Sequence, residues 1–295
     1  MTIKLPPKIL LPLGVLGASF SSILVRFSQA PSLVTATYRL GWSVILLTFW
    51  VLWKCRDELK KVHGSDLMYC GFSGFFLALH FATWFESLKH TSITSSTVLV
   101  ATEVIFTSLG FVWFLKGKIP QKAALCIGIT FIGSIVIALG DRGGTASNAL
   151  WGDALSLIAA VCVSIYTLIG RKQRGHLSTT IYTYMTYCAC FLTLLCLDLA
   201  TGTPVTGYPI AESLIGLGLA VFCTLMGHSV FSYCLKFLSP AYISSVKLCE
   251  PIGATLLGMV FFAEFPGLMQ VLGGLVVLCG VMYYSILDKK AEQEV

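Results

Sequence analysis

Apolar positions along this chain gather into long runs, and polar positions are confined to short segments between them. A helix needs about 20 mainly apolar residues to cross about 30 Å of hydrocarbon at 1.5 Å per residue. Unpaired backbone groups are costly in lipid, so runs of this length must be helical. The pattern predicts about ten spans, at roughly 9–27, 33–53, 67–88, 93–115, 121–140, 151–170, 178–198, 212–235, 241–262 and 267–287. Connections are short. The longest, residues 199–209, is rich in Gly, Thr and Pro and reads as a turn-rich loop.

Composition agrees with a lipid environment. Hydrophobic residues make up 56% and charged residues only 12%, whereas soluble domains carry about 25% charged residues. Lys4 and Lys8 precede the first run as in a signal peptide, but that run is long for such a segment and no small-residue cleavage site follows. It is expected to be a retained span. The eleven cysteines lie mostly inside apolar runs, where Cys serves as a small filler, and their spacing suggests neither a metal site nor a disulfide framework.

The net charge of +6 forms no dense patch with interleaved aromatics, so no nucleic-acid partner is expected. Instead Lys and Arg fall on alternate connections. With the N-terminus inside, the cytoplasmic segments hold Lys4, Lys8, the groups at 54–61, 116–122 and 171–174, Lys236, Lys289 and Lys290. The outer side then keeps only Lys89, Arg142 and Arg26 near the membrane edge. This bias predicts that both termini are cytoplasmic, and the expected location is the plasma membrane.

The halves repeat. A shift of 147 positions brings Leu88–Lys89 onto Leu235–Lys236, Ser92 onto Ser239 and Glu103 onto Glu250, and Pro120 onto Pro266 within one position. Five spans per half is an odd number, so the second copy enters the membrane upside down. The expected fold is all-α and integral to the membrane, ten transmembrane helices as two inverted five-helix repeats at 1–145 and 146–295.

Glu103 and Glu250 both fall about 14–15 Å into their spans, near the bilayer centre. A charge there costs about 2.5–3.5 kcal/mol or more, so a polar cavity or a partner is expected. Lys247 and Glu250 are spaced i, i+3 and are expected to pair, and Pro251 frees the Lys247 carbonyl. Two stripes accompany the acids: Ser244, Lys247, Glu250, Ala254 and Gly258, and Ser96, Glu103, Thr107 and Gly110. These are expected to floor one central cavity. His80 and His228 correspond within one position under the shift and fit substrate contact or proton relay. Trp84 stands one turn from His80 and either lines the cavity or anchors at an interface. Arg39 is expected to snorkel or to attract an anionic group. Gly14–Ala18–Ser22 and Gly74–Ala78–Ala82 have the small-residue spacing of closely packed helices.

Three segments carry a family resemblance: "GASFSSILVRFSQAPSLVTATYRLG" at 17–41, "LHFATWFESLKHTSITSSTVLVATEVIFTSLG" at 79–110, and "GHSVFSYCLKFLSPAYISSVKLCEPIGATLLG" at 227–258. They resemble the drug/metabolite transporter superfamily, specifically its EamA-type members, with Glu250–Pro251 standing as the Glu-Pro signature. Position 104 is Val where the fourth-span motif often has Pro, and Lys247 is not a hallmark of the family. The resemblance implies ten helices in two inverted repeats that rock about a central site. It also implies a cargo among amino acids, sugars, nucleotide-linked metabolites, drugs and similar solutes, many moved outward.

Two other classes are weighed. "GFSG" at 71–74 matches the segment around the serine of rhomboid proteases, but ten spans in two halves do not suit that family. "GHSVF" lacks the last Gly of the hydrolase elbow. A channel or receptor is the other alternative, which midplane charges on inverted halves make less fitting than alternating access. The expectation is therefore a secondary transporter, not an enzyme, that exports an amino acid or related polar solute, with no cofactor. Glu250, Lys247, Glu103, His80, Trp84, His228 and Arg39 are its candidate substrate or coupling residues. A proton or ion is a candidate coupling partner, and a homodimer is compatible with the sequence.

Overall fold

The computed structural model describes residues 6–119, 121–139 and 149–263, and part of 265–287. Among these residues every regular element is a helix. The chain opens with α1 (Pro7–Phe27), α2 (Ser32–Lys54), the short α3 (Arg56–Leu59) and α4 (Gly64–His90). The pair α5 (Ile93–Ala101) and α6 (Glu103–Leu115) follows, then α7 (Gln121–Leu139), α8 (Ala149–Gln173) and α9 (Thr179–Ala200). The next crossing is α10 (Ile210–Gly218), a π-helix at Leu219–His228, and α11 (Ser229–Cys234); the last fully described one is α12 (Pro240–Lys247) with α13 (Glu250–Phe262).

Eight helical stretches are long and apolar enough to cross a membrane, counted among the described residues. The run expected at 121–140 forms α7, and residues 268–269, 271–276, 279–280, 283 and 287 of the run expected at 267–287 are helical. Pro120, Pro266, Lys4, Arg142, Lys289 and Lys290, used in the repeat and charge readings, lie outside the described residues.

Three spans expected to be continuous are interrupted. Between α12 and α13 the backbone tightens, Leu248 N–H bonding the Ser245 carbonyl and Cys249 N–H that of Val246. Pro251, with no N–H, cannot restore the α-pattern bond to Lys247. Between α5 and α6 there is no proline. There Thr102 N–H bonds the Leu99 carbonyl at 3.1 Å, and its own hydroxyl takes the same carbonyl at 2.7 Å, a side-chain competition that loosens helices. The third interruption is the π-helix, whose wider turns are uncommon and tend to occur at functional sites.

The sequence correspondence between the halves reappears as backbone landmarks. Ser92 caps α5 by accepting from Ser95 N–H, and Ser239 caps α12 by accepting from Tyr242 N–H. Each broken span restarts at its glutamate. Each ends in a left-handed residue that is not glycine, Lys116 at φ 51° and Ala263 at φ 54°. Every one of these pairs stands at the same offset along the chain.

Packing runs α4 along α8 and α9, α2 along α9, and α1 along the π-helix and α13. Small residues explain the closeness, Gly74 of an expected spacing and Gly17 beside the other. A Cβ at Gly74 would run into the Thr186 carbonyl, and one at Gly17 into that of Phe222. Outward faces carry exposed bulky groups such as Phe49, Trp53, Trp113, Phe114 and Val260, the surface lipid would cover.

Two buried carboxylates that the sequence did not single out tie helix ends. Asp198 accepts from Thr37 Oγ1 at 2.6 Å; Glu212 accepts from Ser28 Oγ at 2.5 Å and Gln29 N–H at 2.9 Å. Their partners come from distant segments, which no local spacing reveals.

The close approach at Gly74 makes a direct prediction. Gly74→Ala should destabilise the protein by about 1–3 kcal/mol, because overpacking forces the α4–α9 pair apart. Gly71→Ala, which meets nothing within 4 Å, should be neutral or slightly stabilising. Thermal unfolding in detergent compares the two; equal effects would sink the packing account.

Candidate functional site

The site is built where helices stop. Lys247 closes α12, while Glu103 and Glu250 occupy the first positions of α6 and α13. The free N–H groups at a helix start favour a negative side chain, and the free carbonyls at a helix end favour a positive one. Breaking the spans at these residues therefore gives each charge a helix terminus instead of bare hydrocarbon.

Lys247 Nζ meets Glu103 Oε1 at 2.6 Å. Glu103 is 2% exposed, so this ion pair is buried and joins α12 to α6. The expected local pair, Lys247 with Glu250, is not the hydrogen-bonded one. The i, i+3 rule puts the two on one side of the chain but does not choose a partner, and folding brings Glu103 of α6 within bonding reach of Lys247 Nζ. Glu250 Oε1 is left buried with no hydrogen-bond partner, and so is Glu103 Oε2.

His80 and Trp84 stack with ring centroids 5.7 Å apart and planes 19° off parallel. His80 Nδ1–H donates to the Ala159 carbonyl at 3.0 Å, since a carbonyl can only accept. Trp84 Nε1 is buried and has no acceptor. His228, the last residue of the π-helix, brings its ring to 6.3 Å from that of His80.

Arg39 does not snorkel. Its side chain is fully buried, Nε donating to Thr224 Oγ1 at 2.8 Å and Nη1 to Ser21 Oγ at 2.9 Å. The guanidinium lies 4.1 Å from the centroid of the Phe81 ring, a cation–π contact. Ser21, Thr224 and Phe81 went unnoticed in the sequence, where each reads as ordinary span filling.

All seven candidate residues line one cavity, together with Ala18, Ser21, Thr97, Val100 and Ala101. The two polar stripes do not floor it as expected: only Glu103, Lys247 and Glu250 reach the cavity. Ser96 instead bonds Ser87 at 2.6 Å and Ser156 at 3.3 Å, and Gly110 admits the side chain of Leu168. A stripe drawn on a continuous helix is split between cavity and helix contact once the helix breaks. Ser73, the serine of the protease-like "GFSG", is buried against the Tyr182 hydroxyl at 2.7 Å. Its hydroxyl is thus engaged by a phenol rather than by a general base.

The pair should behave as a buried ion pair. Lys247→Met alone should cost about 3–5 kcal/mol by stranding Glu103, and adding Glu103→Leu should recover much of that loss. A double-mutant cycle on thermal unfolding measures it; additive losses would mean that the two residues do not interact.

Comparison with known proteins bears on the family and the fold. A curated transporter of Archaeoglobus fulgidus, described as uncharacterized, is 25% identical over 273 residues, covering 90% of this chain and 91% of its own. One from Clostridium kluyveri is 27% identical over 237 residues, 78% of this chain and 76% of its own. The Escherichia coli inner membrane transporter YedA, also uncharacterized, is 24% identical over 58% of this chain and 55% of its own. A solved crystal structure superposes with a TM-score of 0.72 at 15% identity, covering 97% of this chain and 98% of its own, which speaks to the fold alone. The sequence pattern of the EamA-like transporter family matches residues 8–139 and 150–286. A match over both halves and most of the length means that this multi-pass membrane protein belongs to the EamA-like transporter family.

Proposed function

We propose that the protein is a secondary active transporter, not an enzyme, that exports an amino acid or related small polar solute across the plasma membrane by alternating access. In this reading the chain has ten spans in two inverted five-helix repeats, 1–145 and 146–295, with both termini cytoplasmic. The recurring caps, breaks and left-handed ends support a duplicated architecture. The Lys and Arg groups on alternate connections support the orientation.

One observation carries the proposal. An ion pair joins a residue of the first half to one of the second, inside a cavity lined by both, at the points where two spans are interrupted. Interrupted spans that meet at mid-membrane are how many secondary transporters hold cargo and coupling ions. Glu250 and Glu103 are the groups for a substrate cation or a coupled proton. Lys247 holds Glu103, and His80, His228 and Trp84 line the path. Arg39 supplies positive potential from the wall. The outward direction rests on the family resemblance.

Reconstitution into liposomes tests this. Preloaded unlabelled L-amino acids should drive saturable counterflow of the labelled compound, and Glu250→Gln should lower it by about tenfold or more, equivalent to about 1.4 kcal/mol. Flux that never saturates would assign a channel instead. Full activity in the Gln variant would remove Glu250 from the mechanism.

A further inference from the structure

We infer that the cavity recognises its ligand through an ammonium group received at Glu250, with a hydrogen-bond acceptor on the same ligand met by Trp84, and that a ligand carboxylate is not required. This deepens, and rests on, the transporter reading given above. The argument comes from which polar atoms in the cavity are already satisfied and which are not.

Both cations of the cavity are engaged. Lys247 Nζ bonds Glu103 Oε1 at 2.6 Å and lies 5.5 Å from the centroid of the Phe231 ring. Arg39 has no exposed surface, and its guanidinium is held by Ser21, Thr224 and the Phe81 face. Lys247 keeps donors beyond its bond to Glu103, but a carboxylate bound there would sit against Glu103 and Glu250, and one reaching Arg39 would have to dislodge it from three other helical elements. Neither is an inviting anion site.

The unsatisfied atoms have the opposite character. Glu250 Oε1 and Glu103 Oε2 are buried acceptors without donors, and Trp84 Nε1 is a buried donor without an acceptor. Trp84 is 8% exposed and Glu103 2%, so water in bulk does not satisfy them. Burying a polar group without a partner is costly, and a ligand that supplies the missing partners recovers that cost. The two carboxylate oxygens call for donors, and an ammonium carries three. Its charge also matches Glu250, the carboxylate that Lys247 leaves unbonded. The indole N–H calls for an acceptor and is neutral, so a hydroxyl or carbonyl oxygen serves there as a carboxylate does. The ligand class is therefore small amines bearing an acceptor, with amino acids and amino alcohols both included.

The test uses the full-length protein in detergent and three four-carbon probes: n-butylamine, butyrate and L-2-aminobutyrate. Calorimetric titration and thermal unfolding read binding. The expected result is that both amine-bearing probes bind and stabilise, and butyrate does neither. Glu250→Gln should weaken both amines by about tenfold or more, the size expected for a lost charged hydrogen bond. Trp84→Phe keeps the ring and removes the N–H; it should weaken L-2-aminobutyrate about fivefold and n-butylamine less. This second variant keeps the inference testable if Glu250→Gln does not fold, which its unfolding curve without probe reports. Butyrate binding as well as n-butylamine, no binding of either amine, or amine affinity unaltered in Glu250→Gln would each overturn the inference. Amine binding without counterflow would leave the recognition intact and reject the transport reading. Counterflow of acids without amine binding would do the reverse.

Discussion

A lysine and two glutamates placed inside a lipid-spanning chain are the constraint on which this structure depends. An unpaired charge in that layer is expensive, and a buried ion pair gains back its desolvation only with good geometry and further polar partners. The protein meets this condition by bringing Lys247 against Glu103 at 2.6 Å and by ending helices at all three charges. The ion pair belongs to neither half alone. It can exist only when the two halves are packed together.

The same economy governs Arg39. It has no carboxylate within ion-pairing distance among the described residues, and two hydroxyls and an aromatic face hold it instead. Thr224, one of those hydroxyls, lies in the π-helix, and His228 ends it. The irregular turn thus supplies a wall residue of the cavity and a ligand for the buried guanidinium from one short segment. Irregular backbone at this depth is tolerated where it is enclosed by protein or faces a cavity. The three interrupted spans meet that condition: α5 with α6, α10 through α11, and α12 with α13 all contribute to the cavity lining.

The packing elsewhere follows from small residues. Gly17 and Gly74 let neighbouring backbones approach without any hydrophobic drive between helices, since lipid tails are as apolar as Leu. The ties at Asp198 and Glu212 add fixed points near helix ends.

The sequence by itself determined the helical class, the lipid setting and the landmarks that the halves share, and it picked out residues that line one cavity. Apolar run length sets helix number, and a charge in an oily run is conspicuous wherever it points. Glu103, Glu250, Lys247 and Arg39 could be picked out this way, His80 and His228 by their correspondence between the halves and Trp84 by its spacing from His80, and all line one cavity. Their partners could not. The i, i+3 rule gave Lys247 to Glu250 because it counts along one helix, whereas the carboxylate that Lys247 bonds belongs to a residue 144 positions away. Ser21, Thr224 and Phe81 around Arg39 were equally invisible, being common residues whose importance lies in where folding puts them. Burial cost is a property of one residue and its local surroundings, so it can be read along the chain. Partner choice depends on distances across separate helices, and only the tertiary structure sets those.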